Sequence, residues 1–268
     1  MIAEGRLARE FAAHGRVDDC PVIDTHGHFG PYQAIHFPRS APEQVIDTMR
    51  RCGVRWLVMA GHQALTDTQR GNAEIAAAVA RYPDHFRGWW VLNPNYPERM
   101  ECELDGFETQ EGFLGFKLHP NGHETPLTDD AYVPVWEYAH ARGLPVLTHT
   151  WQGEGMSSYR EVRTVVEKYP DIGLLMGHAG YGDWEESARV ARDHEHVYLE
   201  LTAAYSVRGA LEIMVEHAGS RKILFGTDHP WFDPHYGIGC ILSAYMTDED
   251  RRNILYRNAQ RLLELPLD

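Results

Sequence analysis

Two histidines separated by one residue, His26 and His28, lie in the stretch Val22–Gly30 and are the first groups in the chain that could bind a metal. Read as a β-strand, this stretch alternates its side chains between two faces, so Asp24 and both histidines share one face. A divalent metal accepts two imidazole nitrogens at about 2.0 to 2.1 Å. The same residues are equally typical of two solvated loop histidines, so the rest of the chain has to decide between these interpretations.

The rest of the chain predicts a barrel that would bring such groups together. Short apolar runs alternate eight times with segments of helical periodicity, which predicts a single-domain α/β protein with the closed parallel (β/α)8 TIM barrel. A doubly wound open sheet is the alternative, disfavoured because no glycine-rich phosphate loop follows the first strand. The predicted strands are Val22–Gly30, Val54–Ala60, Phe86–Leu92, Phe113–Leu118, Leu144–Thr148, Ile172–Gly177, His196–Leu201 and Lys222–Thr227. The predicted helices are Ala41–Cys52, Asn72–Tyr82, Tyr96–Thr109, Asp129–Arg142, Ser157–Tyr169, Trp184–Asp193, Ser206–Ala218, Ile238–Met246 and Glu249–Leu265.

Polar side chains with metal-binding or acid–base chemistry follow most of these strands. Because the carboxyl ends of barrel strands form one rim, residues far apart in sequence would line one cavity there. A proline-rich loop, Pro31–Pro38, follows the first strand and is long enough to form a flap over it. The strand-end residues are His26, His28, His62, Asn93, Lys117, His119, His149, His178, Glu200, Thr202 and Asp228.

Composition narrows the function further. The chain has 268 residues, 43% of them hydrophobic, and is read as one domain whose residues 1–20 form an N-terminal extension. Its formal charge of −14 argues against binding to nucleic acid. No apolar run is long enough for a membrane span, and the first residues do not read as a secretory signal, so a cytoplasmic protein is expected. The four cysteines are widely spaced and indicate neither a zinc knuckle nor a disulfide framework.

Five ordered segments resemble the motifs of the amidohydrolase superfamily. The nearest branch is the amidohydrolase-related family, a group of TIM-barrel metal-dependent hydrolases and decarboxylases. The resemblance extends from about Pro21 to the segment Asn258–Leu262. Its motifs are Asp24–His28, Gly115–Pro120, Leu147–Thr150, Met176–Gly180 and Leu224–Pro230.

This resemblance implies a ligand set and a catalytic pair. His26, His28, His149 and Asp228 would bind one divalent metal, for which zinc is the best candidate and manganese or iron are alternatives. Asp228 would also act as the base for metal-bound water, and His178 would polarise a substrate oxygen or shuttle a proton.

The resemblance also implies a role for the fourth strand. In binuclear members a lysine at the position of Lys117 is carbamylated and bridges a second metal. One metal is favoured here, so Lys117 is expected to contact a substrate carboxylate or oxyanion. His119 would contact substrate or donate a hydrogen bond to a carboxylate. Four aromatic residues follow strands that carry site residues and would either line an aromatic pocket or serve in ordinary loop packing: Trp151, Tyr181, Tyr205 and Trp231. Glu200 would hold a ligand histidine or pair with Lys117.

The reaction expected first is hydrolysis of a small amide, lactone or ester by metal-activated water. The alternative is non-oxidative decarboxylation of an unsaturated or aromatic acid, with Asp228 or His178 protonating carbon. That reaction needs a cation for the carboxylate, and Arg70 and Arg160 are weak candidates for it. A metal-holding scaffold without turnover is a third possibility, disfavoured because every expected catalytic position is filled. The partner is therefore a small molecule, and relatives of this kind commonly form homo-oligomers.

Overall fold

The computed structural model describes residues 5–32 and 34–267 of the chain. Eight parallel strands alternate with helices, and each strand pairs with the next one in the sequence from first to eighth. This architecture confirms the predicted single-domain (β/α)8 TIM barrel. The strands are β1 (Val22–Phe29), β2 (Val54–Gly61), β3 (Phe86–Val91), β4 (Phe113–Leu118), β5 (Pro145–Trp151), β6 (Gly173–Tyr181), β7 (Val197–Glu200) and β8 (Ile223–Leu224).

The barrel is closed by backbone hydrogen bonds between β1 and the segment that continues β8. The amide of Thr25 donates to the carbonyl of Phe225 at 3.0 Å, and the amide of His28 donates to the carbonyl of His229 at 2.6 Å. The last strand itself is only two residues long. Closure therefore places the residues after β8, including Asp228, directly beside the histidines of β1.

Helices cover the outside of the barrel. They are α1 (Arg6–His14), α2 (Pro42–Cys52), α3 (Thr68–Arg81), α4 (Pro97–Glu108), α5 (Pro120–His123), α6 (Val133–Arg142), α7 (Tyr159–Lys168), α8 (Trp184–Asp193), α9 (Ala210–Ala218), α10 (Pro234–Ser243), α11 (Asp248–Arg252) and α12 (Asn258–Leu263). A π-helical turn, Asn253–Arg257, joins the last two. The sequence did not predict α1, which lies in the N-terminal extension. Within the described residues, no helix is both long and apolar enough to cross a membrane.

Local chemistry explains where helix starts differ from the prediction. Helix α6 begins at Val133 because Pro134 lacks an amide hydrogen and fits only the first helical turn. Helix α9 begins after Gly209, whose φ of 90° is outside the helical region. Helix α10 begins earlier than predicted because the Asp233 side chain caps it by accepting from the amide of His235.

The strands separate two apolar layers. Side chains such as Leu57, Leu174 and Phe225 pack outward against the helices, whereas alternate residues such as Trp56 and Leu175 fill the barrel interior. The interior layer is apolar near the amino ends of the strands. Polar side chains therefore accumulate at the opposite, carboxyl-terminal end.

Candidate metal centre and cavity

Three metal-ligand side chains converge at the carboxyl-terminal end of the barrel. His26 and His28 come from β1, and Asp228 follows β8; their ligand atoms all lie within 4.8 Å of one another. The Oδ1 atom of Asp228 is 2.8 Å from Nε2 of His28 and 3.3 Å from Nε2 of His26. Within residues 5–32 and 34–267 there is no second group of this kind. The structure thus brings the end of β1 and the residue after β8 together, and metal binding by these side chains stays a prediction.

Asp24 does not belong to this cluster, although strand alternation placed it on the same face. The register between β1 and β2 shifts between Asp24 and Gly27, which breaks the alternation. The Asp24 carboxylate instead accepts hydrogen bonds from the amide of Thr227 at 3.1 Å and its hydroxyl at 2.5 Å. This contact fixes the residue that precedes Asp228.

Glu200, at the end of β7, orients His26. Its Oε2 atom lies 2.7 Å from Nδ1 of His26, and its Oε1 atom accepts from the amide and hydroxyl of Thr202 at 2.8 and 2.7 Å. Because the carboxylate accepts at both oxygens, Nδ1 carries the hydrogen and Nε2 keeps its lone pair. Of the two roles expected for Glu200, holding a histidine is the one that the contacts support.

The backbone is strained at two of the expected site residues. His178 on β6 has a φ of 66° and Asp228 has a φ of 62°, the left-handed region that favours glycine. Such conformations cost about 1 to 3 kcal/mol and cluster at functional sites. The strained backbone aims both side chains into the same cavity.

Burial keeps the histidines neutral. It lowers the pKa of His178 to about 4 and holds the pKa of His26 and of His149 well below its usual value. Burial opposes the ionisation of Asp228, but the neighbouring imidazoles and the contact with His28 outweigh it and hold the pKa of Asp228 well below its usual range. The cluster therefore combines a neutral His26 with an ionised Asp228.

This donor set fits a divalent metal. Oδ1 of Asp228 is buried, and although Nε2 of His28 lies 2.8 Å away, no donor within the described residues points at this oxygen with hydrogen-bond geometry. Two imidazole nitrogens and a carboxylate oxygen suit zinc, manganese or iron. The fourth expected ligand, His149, lines the same cavity but lies outside the 4.8 Å group. Its ring is stacked between His119 and Trp151, at centroid distances of 4.4 and 5.6 Å, so its ligand role stays a prediction.

Lys117 contacts the same ring nitrogen of His26 that faces Asp228. Its Nζ atom is 2.8 Å from Nε2 of His26, and burial lowers the pKa of Lys117 to about 8. His119, which follows the same strand, accepts the Gly122 amide on Nδ1 at 2.9 Å, so this nitrogen does not donate to a carboxylate. The short contact with His26 thus holds the Lys117 amine inside the cluster rather than on the outer rim of the cavity.

A cavity of about 340 Å³ opens above the cluster. All four residues predicted to bind substrate line it, and so does the predicted acid–base residue His178. Neither Arg70 nor Arg160 does; these side chains lie 3.6 Å from Glu74 and Glu154. Tyr181 stacks on Trp151 at 4.3 Å from outside the lining, and Tyr205 borders a different pocket. The lining consists of His26, His28, Tyr32, His62, Leu65, Lys117, His119, His149, Trp151, His178, Ala203, Asp228, Trp231 and Phe232.

Comparison with known proteins places this chain in a family. The family model described as amidohydrolase matches residues 23–265. The gamma-resorcylate decarboxylase of a Polaromonas species is 24% identical over 261 residues, which cover 76% of this chain and 80% of that protein.

Solved structures of decarboxylases share the fold. The 5-carboxyvanillate decarboxylase from Sphingomonas paucimobilis has a TM-score of 0.74 at 14% identity, covering 92% of this chain and 100% of that one. A dihydroxybenzoic acid decarboxylase from Polaromonas, solved with bound manganese and the inhibitor 2-nitroresorcinol, has a TM-score of 0.73 at 19% identity, covering 93% and 98%. These relatives are decarboxylases, so the expectation that the chain hydrolyses an amide, lactone or ester is wrong. The resemblance itself is confirmed: the chain belongs to the amidohydrolase family and is an enzyme of the amidohydrolase superfamily.

Proposed function

We propose that this protein is a divalent-metal-dependent decarboxylase that releases carbon dioxide from a small hydroxylated aromatic acid. The observation that carries the proposal is a His–His–Asp cluster at the floor of a cavity whose walls include Tyr32, Trp151 and Trp231. Aromatic walls and a polar floor suit a planar ring that carries an acidic group. The names of the relatives, resorcylate, dihydroxybenzoate and carboxyvanillate decarboxylases, support the same reaction.

The metal would be held by His26, His28 and Asp228, with His149 as the predicted fourth ligand. A bound divalent metal supplies a Lewis acid that holds acidic substrate oxygens and stabilises negative charge. Manganese in the Polaromonas structure supports manganese as well as the zinc expected from the ligands. One metal per chain is expected, and two with a carbamylated Lys117 would contradict that count.

The side chains would supply the proton and hold the substrate. Decarboxylation breaks the bond between the ring carbon and the carboxylate; the electron pair stays on the ring carbon, which takes a proton. Asp228 would take a proton from an acidic hydroxyl of the substrate and pass it to the ring carbon, and after carbon dioxide has left, solvent would return a proton to that oxygen to give the phenol. His178 would contact a substrate oxygen, and Lys117 would place positive charge near the carboxylate.

The test is carbon dioxide release by the purified protein, loaded with manganese or with zinc and given 2,6-dihydroxybenzoate, other hydroxybenzoates and 5-carboxyvanillate. Metal content is measured on the same samples. We expect stoichiometric formation of carbon dioxide and the corresponding phenol. No release from any of these acids by metal-loaded, folded protein would overturn the proposal. Light scattering on the same protein tests the predicted homo-oligomer.

A further inference from the structure

His62 follows β2 and lines the cavity, yet hydrogen bonds to the protein leave neither of its ring nitrogens free to bind a metal or to transfer a proton. Its Nδ1 atom lies 2.9 Å from the carbonyl oxygen of Gly30, and its Nε2 atom lies 3.0 Å from Nε1 of Trp231. A carbonyl only accepts and an indole N–H only donates, so Nδ1 carries the hydrogen and Nε2 accepts. Both nitrogens are therefore engaged with protein, and the tautomer is fixed.

These two bonds join three segments that are distant in sequence. Gly30 ends the first strand region, His62 follows the second strand, and Trp231 comes three residues after Asp228. The amide of Trp231 also donates to the carbonyl of Asp228 at 2.8 Å. The position of the indole is thus tied at its backbone to the metal-ligand aspartate and at its side chain to His62.

Aromatic packing supports the same arrangement. The His62 ring stacks on His28 at 4.8 Å with an interplanar angle of 16°, and on Phe37 at 5.4 Å with an angle of 9°. Trp231 meets Phe37 and Tyr32 edge to face, each at 5.1 Å. Tyr32 and Phe37 belong to the loop that the sequence predicted to be a flap. Trp231 keeps 38% of its surface exposed, so packing alone does not immobilise it.

We propose that His62 is a positioning residue that, by accepting the Trp231 indole hydrogen while donating to Gly30, fixes the indole as a wall of the substrate cavity. It acts through Trp231 rather than on the reacting atoms. The part of this inference that concerns substrate rests on the proposed function, whereas the hydrogen bond itself does not.

The first test needs neither substrate nor metal. The indole N–H signal of Trp231 is identified in the NMR spectrum by its absence in Trp231→Phe, and its hydrogen exchange is measured. An indole that is more than one third exposed should exchange slowly only if its N–H is hydrogen-bonded. We expect slow exchange in the unmodified protein and fast exchange in His62→Phe; equally fast exchange in both would overturn the proposal.

The second test separates positioning from general structural damage. Loss of one hydrogen bond, about 1 kcal/mol, corresponds to an increase of about fivefold in KM, with kcat within about twofold. His62→Phe should show this increase, and Trp231→Phe, which removes the wall as well as the bond, should show at least as much. The double variant should show no more than Trp231→Phe alone, because the bond broken by His62→Phe is already absent there. His62→Gln, which keeps an acceptor for the indole, should partly restore KM.

Trp90→Phe is the matched control, since Trp90 packs on Phe113 outside the cavity and its indole nitrogen has no partner in the described residues. The Kd of 2-nitroresorcinol, measured by calorimetry on metal-loaded protein, should follow KM. An unchanged KM in His62→Phe, or multiplying effects in the double variant, would overturn the positioning role while leaving decarboxylation intact. Absence of turnover together with slow indole exchange would overturn the proposed function and leave the hydrogen bond in place.

Discussion

Replacing Glu200 with glutamine should weaken metal binding without unfolding the barrel. Glu200 is fully buried; one oxygen lies 2.7 Å from Nδ1 of His26 and the other accepts from Thr202. Glutamine has the same shape but only one oxygen. Both oxygens of Glu200 accept from a backbone amide, but the Thr202 amide is 2.8 Å away and the His178 amide 3.4 Å away. The glutamine oxygen therefore stays with the closer Thr202 amide, and the new NH2 group faces Nδ1 of His26.

This reversal changes the tautomer of His26. Facing a donor, Nδ1 has to accept, and the hydrogen moves to Nε2, the nitrogen that points to Asp228 and the expected metal. Loss of the acceptor behind a ligand histidine typically costs about 10- to 100-fold in metal affinity. That range corresponds to about 1.4 to 2.8 kcal/mol.

The assay is competition for zinc and for manganese against a chromogenic chelator, with thermal unfolding recorded on the same samples. Glu103→Gln is a matched control, because Glu103 is also a buried carboxylate, accepts from the hydroxyl of Thr68 at 2.5 Å and lies outside the cavity. We expect the control to bind metal like the unmodified protein. If Glu200→Gln is folded and its metal affinity stays within about twofold, the assigned tautomer of His26 is wrong.

Three further predictions concern the proton donor, a buried thiol and the substrate. Asp228→Asn should lower carbon dioxide release at least about 100-fold with the circular dichroism spectrum unchanged, and a normal rate would exclude Asp228 as the acid. Burial raises the pKa of Cys20 from 9.0 to about 11, so the free energy of unfolding should fall as pH rises from 9 to 11. In urea titrations, the fall in Cys20→Ala should be smaller than in the unmodified protein by about 3 kcal/mol. Identical pH slopes for the two proteins would contradict this prediction. Metal-loaded protein should have a higher kcat/KM for 2,6-dihydroxybenzoate than for the dicarboxylate 5-carboxyvanillate, and the reverse order would contradict the charge balance of the cavity.

Much of the fold could be predicted from local sequence. The bounds of β4 and α8 agree with the prediction at both ends, since an apolar run and an amphipathic segment each end at clear polar boundaries. The eighth strand was predicted as Lys222–Thr227 but is only Ile223–Leu224, because the segment after Leu224 continues along β1 by single hydrogen bonds rather than as a regular ladder. Its length depends on how the barrel closes, which no local pattern records.

The position of the site at the rim of the barrel could be predicted from the sequence, but the contacts within the site could not. Parallel strands direct all their carboxyl ends to one side, so listing the polar residues there finds the cavity. The shift that turns Asp24 away is a property of the pairing between β1 and β2. The role of His62 depends on its distances to Gly30 and Trp231, and the choice of Glu200 for His26 depends on the gap between β1 and β7.

The charges around His26 connect the metal with the substrate. Three ionisable groups lie within 3.3 Å of its ring nitrogens: the carboxylates of Glu200 and Asp228 and the amine of Lys117. With both carboxylates ionised and the lysine protonated, the cluster carries one net negative charge, and an uncompensated buried charge is costly. A divalent cation reverses that balance to one net positive charge, which a single substrate carboxylate then neutralises. A second substrate carboxylate would return the net charge to one negative, and no arginine lines the described cavity to offset it. The residues that favour a metal therefore also favour a substrate with a single carboxylate.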